Sequence, residues 1–297
     1  ISTATAAVSD VTEEKNRSRG MAFVGIAIGT GFIFGPAIGG ISSLWNLSAL
    51  YPHLAAYGIN PFSMPAIVSC ILALINLFWI FTKFKESHPA EKRGKTKSQR
   101  SSNPLSLFKP LSNKGVNITN VANFFFLLAF SGMEFTLTFL AVERLGYSSF
   151  DNGMMFVYIG VLIALVQGGY VRRRAHQVGE KRMALMGLVT LIPGLVLVGL
   201  TTSNAMLHLG LGLLAVGAAM IIPCLTALVS LYSAADEQGK AIGTFRSLGA
   251  LARVIGPFSA AIIYWRMGSA MPYFIGAAFL ILPILLVGKL KQPTANT

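Results

Sequence analysis

Long apolar runs and short polar segments alternate along this chain. A helix needs about 20 consecutive apolar residues to cross a bilayer. Runs of that kind fall near Met21–Ser43, Ser63–Thr82, Val116–Leu140, Met154–Val171, Met183–Leu200, Met206–Leu231, Ala241–Tyr264 and Pro272–Leu290. The pattern predicts an all-α integral membrane protein with about eight transmembrane helices. Ile1–Ser9 reads as the tail of a further apolar run, so the sequence is expected to begin inside a longer protein.

The polar segments alternate in charge. Of the 24 Lys and Arg residues, 20 sit in one set of flanking segments: around Lys15–Arg19, Lys83–Lys114, Arg172–Arg182, Lys240 and Lys289–Lys291. The other set holds Arg144 and Arg266 alone, while Arg246 and Arg253 fall within or beside the seventh run. Basic residues stay on the cytoplasmic side of a membrane protein. Both ends of this chain are therefore expected in the cytoplasm, with a plasma or inner membrane as its setting.

One basic segment stands apart. The stretch Lys83–Lys114 is long and rich in Ser, Pro and Lys, a composition that buries little and reads as a flexible linker. It predicts residues 1–84 as two spans, 85–115 as a cytoplasmic linker and 116–297 as six spans.

Composition agrees with the pattern. Hydrophobic residues make up 54% of the chain and charged residues 12%, against about 25% charged in soluble domains. A bilayer accommodates that much apolar surface; water does not. The net charge of +13 would suit nucleic acid, but its confinement to short segments between apolar runs argues against that partner. Cys70 and Cys224 lie in apolar runs and read as small core residues. The four histidines have no HExxH or other ligand spacing, so no metal or cofactor is expected. Gly94-Lys95-Thr96 mimics the end of a phosphate-binding loop, but Pro89 stands where that loop needs Gly.

The most informative stretch is Gly31-Phe-Ile-Phe-Gly35-Pro36-Ala-Ile-Gly39-Gly40. Gly31, Gly35 and Gly39 recur at four and line one helix face, where a neighbouring helix can come close. Pro36 removes a backbone hydrogen bond and can kink the helix. The string resembles the antiporter motif in the fifth helix of major facilitator superfamily exporters. Gly168-Gly-Tyr-Val-Arg-Arg-Arg through Gly179-Glu-Lys-Arg resembles the second-half copy of their basic loop motif, without its usual Asp. Gly243-Thr-Phe-Arg-Ser-Leu-Gly-Ala-Leu-Ala-Arg-Val-Ile-Gly-Pro is similar to helix eleven of the tetracycline-transporter-like branch. The resemblance covers essentially the whole chain. It implies that the eight spans are family helices five to twelve of a helical bundle.

Ionisable residues within the spans are the candidate site. Glu134 could carry a proton or touch substrate, could pair with an Arg, or could be solvated near the outer end. Asn120, Asn123, Ser131 and Glu134 fall near one helix face and predict an inward-facing polar stripe. Arg246 and Arg253 are two turns apart on one face. Arg246 can snorkel to water, whereas Arg253 is deeper and needs a carboxylate, carbonyls or an anionic substrate. Gln167 is a further cavity-lining candidate. The resemblance implies that Asp10, Arg172, Arg173 and Asp236 form loop salt links that latch one conformation, although solvated topology-setting charge accounts for them equally.

The expected function is a proton-coupled secondary transporter exporting drug-like or organic-anion small molecules, with no catalytic residues. A non-transporting scaffold or receptor on the same fold is the alternative. A membrane-embedded enzyme would need a catalytic pair at depth, and the sequence offers one deep Glu and no deep His.

Overall fold

The computed structural model describes residue 8 and residues 17–60, 62–83, 110–234 and 237–291. Among them every regular element is helical: α1 (Arg17–Ser42), the short α2 (Leu47–Leu50) with a 3-10 turn at Pro52–Tyr57, α3 (Ser63–Lys83), α4 (Lys114–Leu145), α5 (Ser149–Leu165), a π-helical turn (Val166–Val171), α6 (Arg172–Val178), α7 (Glu180–Gly199), α8 (Asn204–Tyr232), α9 (Gln238–Met267), α10 (Met271–Phe279) and α11 (Ile281–Gly288). Among the described residues, eight stretches are long and apolar enough to cross a membrane, with α5 continuing to Ala175 as one span and α10 with α11 forming another. All eight predicted runs thus became helices. Several extend past their apolar limits because polar residues at the ends still make intrahelical bonds and caps. Asn113 accepts the Gly115 amide at 2.7 Å to start α4. Gly146 ends it at φ 67°, with its N–H returned to the Ala141 and Val142 carbonyls. That left-handed geometry suits a residue with no Cβ.

Two compact units emerge from the contacts. One comprises Ile1–Ser102 with Ser148–Val157, the other Asn103–Tyr147 with Tyr158–Thr297. In the first, the start of α5 is pressed against α1. A Cβ on Gly153 would stand 2.7 Å from the Gly40 Cα and 2.8 Å from the Pro36 carbonyl. The contacted face of α1 is therefore Pro36 and Gly40, which are four residues apart. Among the described residues, nothing lies within 4 Å of a Cβ placed on Gly31, Gly35 or Gly39, the predicted stripe. The neighbour meets α1 one residue farther round the helix than the sequence spacing suggested. Spacing shows which residues share a face, but not which face is covered.

The second unit is built on two glycine-mediated pairings. Helices α7 and α8 share the most extensive contact. A Cβ on Gly187 would stand 2.7 Å from the Gly217 carbonyl, and one on Gly217 would stand 2.8 Å from the Gly187 carbonyl. Helices α4 and α9 share the next most extensive. Gly132 faces Ala260 and the Gly256 carbonyl, while Gly256 faces Ser131 and the Leu128 carbonyl. In hydrocarbon the hydrophobic effect does not drive helices together, so close backbone approach and dispersion hold these pairs.

The predicted linker ends sooner than 115. Helix α4 starts at Lys114, and Leu111 is already packed with Val116, Val229 and Ala241. The Asn117 amide fastens this segment, donating to the Leu111 carbonyl at 2.7 Å and accepting from its N–H at 2.8 Å. Ser112 donates to Glu237 at 2.8 Å.

Replacing Gly217 with Val should cost roughly 1–3 kcal/mol through overpacking and lower the melting temperature in detergent. Gly243→Ala, with nothing within 4 Å of the new methyl, should be neutral or stabilise by up to about 1 kcal/mol.

Candidate functional site

The seam between α4 and α9 assembles the candidate residues of the second unit. Proceeding from its basic end, Asn123 meets Gly249, Ser131 meets Gly256, and Gly132 meets Ala260. The Ser131 hydroxyl donates to the Leu127 carbonyl of its own helix at 2.6 Å and lies 3.4 Å from the Ala252 carbonyl of α9. A hydroxyl bonded one turn back needs no water, so it is tolerated where two backbones touch.

This packing reassigns the expected polar stripe. Asn120 is 2% exposed, Asn123 is 4% exposed and Ser131 is buried, so none of the three lies on an open face, and Asn123 and Ser131 meet α9. The Asn120 amide has no partner for either polar atom among the described residues. An unmade buried amide bond costs about 1–3 kcal/mol. Glu134 is the exception, only half-buried. It lies near enough to Arg253 of α9 for the two opposite charges to attract.

Arg253 and Arg246 are both exposed. Within its own unit the Arg253 side chain is uncovered. The residues flanking it, Ala252 and Gly256, are the ones spent on the seam. Arg253 is therefore not among the residues packed between α4 and α9.

Gln167 falls in a feature that periodicity does not reveal. Residues Val166–Val171 form a π-helical turn, in which the Arg172 N–H reaches back to the Gln167 carbonyl. Such turns insert one extra residue and recur at functional sites. The Gln167 side chain is half-buried. Beyond the turn, Arg172 and Arg173 are exposed on α6. Their expected partners Asp10 and Asp236 lie outside the described residues.

The opposite end of the unit carries a polar cluster that the sequence reading missed. Arg144 donates to the Gly199 carbonyl at 2.8 Å, the Thr201 carbonyl at 3.1 Å and the Ser269 hydroxyl at 3.1 Å. It thereby caps the end of α7 and ties α4 to the turn after α9. Beside it, Tyr264 donates to Glu143 at 2.5 Å, and the buried Tyr273 and Thr136 hydroxyls lie 3.2 Å apart. The signal for this cluster was present: Arg144 and Glu143 are adjacent charges in a segment otherwise empty of Lys and Arg. Topology accounted for the emptiness but not for the exception.

Arg144→Ala should therefore destabilise the protein by roughly 1.5–3 kcal/mol, the range for hydrogen bonds from a charged group. Tyr264→Phe, which removes one hydroxyl, should cost about 1 kcal/mol. Thermal melting of the purified variants checks both.

Comparison with known proteins places this arrangement. The family model described as Major Facilitator Superfamily matches residues 1–257 and 174–297. "Major facilitator superfamily domain-containing protein 10" from Homo sapiens is 33% identical over 99% of this chain, and the match covers 64% of that protein. The chain thus spans about two-thirds of the length of that relative. The "Tetracycline resistance protein, class C" from Escherichia coli is 26% identical over 97% of this chain and is covered to 70%. The crystal structure of the human organic anion transporter MFSD10 (TETRAN) superposes with a TM-score of 0.67 at 32% identity, covering 95% of this chain and 66% of that one. A bacterial homolog of the human lysosomal transporter Spinster, in an inward-facing and unoccupied conformation, shares the fold with a TM-score of 0.63 at 10% identity, covering 96% of this chain and 72% of that one.

Proposed function

The chain belongs to the Major Facilitator Superfamily, and from that premise we propose that it works as a proton-coupled secondary transporter exporting organic anions or drug-like amphipathic molecules. Membership carries the coarser statement, a membrane transporter of small molecules. The coupling ion and the cargo are the proposal.

One observation carries it. Glu134 is half-buried on α4 and Arg253 is exposed on α9, the helix packed against it, and their opposite charges lie within electrostatic reach of one another. An ionised carboxylate inside a membrane protein is costly, and the attraction offsets part of that cost. Protonation of Glu134 removes the attraction and leaves the guanidinium free for another anion. A carboxylate or sulfonate on the cargo can then take the place of Glu134 at Arg253, since a guanidinium binds such groups through paired hydrogen bonds. Proton and anion occupancy are thereby linked, and the gradients across the membrane set the direction of transport. Arg246, two turns away and also exposed, would guide the anion along α9, and Gln167 would add a neutral hydrogen-bonding contact.

The rest of the proposed cycle follows from the fold. Substrate would bind near the membrane midplane between two helical halves that rock to expose it to either side. The close contacts of Gly40 with Gly153 and of Gly132 with Gly256 would keep the packed helices in register while they move. Asp10, Arg172, Arg173 and Asp236 are proposed as loop charges that favour one end state. The basic segments, including both ends of this chain, are proposed to face the cytoplasm, in a plasma or inner membrane. The human relative crystallised as an organic anion transporter supports the anionic cargo, and the tetracycline resistance proteins support export of a drug-like one.

Flux measured in proteoliposomes under an imposed pH gradient tests the proposal. Glu134→Gln should abolish the dependence of organic-anion flux on that gradient while leaving anion binding intact. Arg253→Gln should weaken anion binding by about 10- to 100-fold, the loss of a charged hydrogen bond, and Arg253→Lys should recover part of it. Gradient-driven flux unchanged in Glu134→Gln would refute the assigned role.

A further inference from the structure

The ends of α7 and α11 form a second charged feature, and substrate handling does not use it. The two helices run in opposite directions and are in contact. The Lys181 ammonium donates to the Leu290 carbonyl, which draws the first turn of α7 onto the segment that follows α11. Tyr232 of α8 donates to the neighbouring Lys291 carbonyl. These bonds bring Arg182 and Lys289 to one rim.

Each of these cations stands at the foot of an exposed apolar stripe. On α7, Arg182, Met186 and Val189 follow at helical spacing and are all exposed. On α11 the series runs Leu282, Leu285 and Lys289, again all exposed. Because the helices are antiparallel, both cations lie at the same end. Gly288 has nothing within 4 Å of a Cβ position, so no side chain obstructs the approach beside Lys289. Among the described acidic residues near this end, Glu237 accepts from Ser112 at 2.8 Å, and Glu180, two residues before Arg182, has an interaction of its own.

Two cations directly beneath two hydrocarbon-facing stripes match one kind of molecule, an anionic headgroup on acyl chains. A free anion would use the cations and leave the stripes unused. A zwitterionic lipid would use the stripes and bring no net charge. We propose that the α7–α11 rim binds an anionic phospholipid, its phosphate held by Arg182 and Lys289 and its chains lying along Met186, Val189, Leu282 and Leu285. The site is separate from Glu134 and Arg253, so it stands whether or not the transport reading does.

Native mass spectrometry of the intact protein, titrated with phosphatidylglycerol or phosphatidylcholine, tests this. Phosphatidylglycerol should be retained roughly tenfold more tightly, and the double variant R182Q/K289Q should lose about that factor. The charge-conserving R182K/K289R should keep it, and R266Q, at the opposite end of the molecule, should leave it unchanged. Equal retention of the two lipids by the wild-type protein would overturn the proposal without recourse to any variant. So would undiminished phosphatidylglycerol binding by a folded R182Q/K289Q. Displacement of the lipid by an equal concentration of inorganic phosphate would show a site for a free anion and overturn it too.

Discussion

Hydrocarbon offers no hydrogen bonds, and nearly everything in this molecule answers to that fact. Backbone groups must be satisfied within each span, which leaves the helix as the available form for a single crossing chain. Side-chain hydroxyls obey the same demand. Thr119, Ser131, Thr136, Thr190, Thr201 and Thr226 each donate to the carbonyl four residues back. Buried or lipid-facing, such a group carries its own partner and can be placed where packing requires it.

The same demand explains how the helices are joined. With no water to expel between them, two helices gain by bringing their backbones close, and glycine allows it. Gly187 with Gly217, Gly132 with Gly256, and Gly40 with Gly153 are three instances of one solution. Where a long polar side chain does enter, it is fully engaged: Arg144 places its guanidinium on two carbonyls and a hydroxyl, and Tyr264 reaches Glu143. Against that background the incompletely engaged groups stand out. Arg246 and Arg253 are exposed and Glu134 is half-open, and these are the residues proposed to meet proton and cargo. The polar residues engaged in packing and those proposed for transport thus lie on the same two helices.

Much of this was legible from one sequence. The eight spans, the asymmetry of Lys and Arg, and family membership all follow from composition, spacing and local motifs. Glu134 and Arg253 were legible as candidates because charges inside apolar runs are rare. Asn123 was less so. Its helical spacing from Asn120 and Glu134 placed it on their side of α4, but not in the seam that buries it. The glycine string on α1 was read correctly as a helix with one bare face, yet contact falls on Pro36 and Gly40.

What the sequence determined by itself is the medium and where the spans fall along the chain. Both depend on hydrophobicity and charge, which are summed along the chain and need no neighbours. Tertiary structure alone decided which helix face meets which partner. It buried Asn120, seated Asn123 against α9, left Arg253 uncovered, turned Arg144 from an isolated charge into a cap on α7, and put an extra residue into the turn at Gln167. A periodic pattern defines a stripe on a cylinder, whereas the rotation of that cylinder against its neighbours is fixed by contacts between residues far apart in the chain.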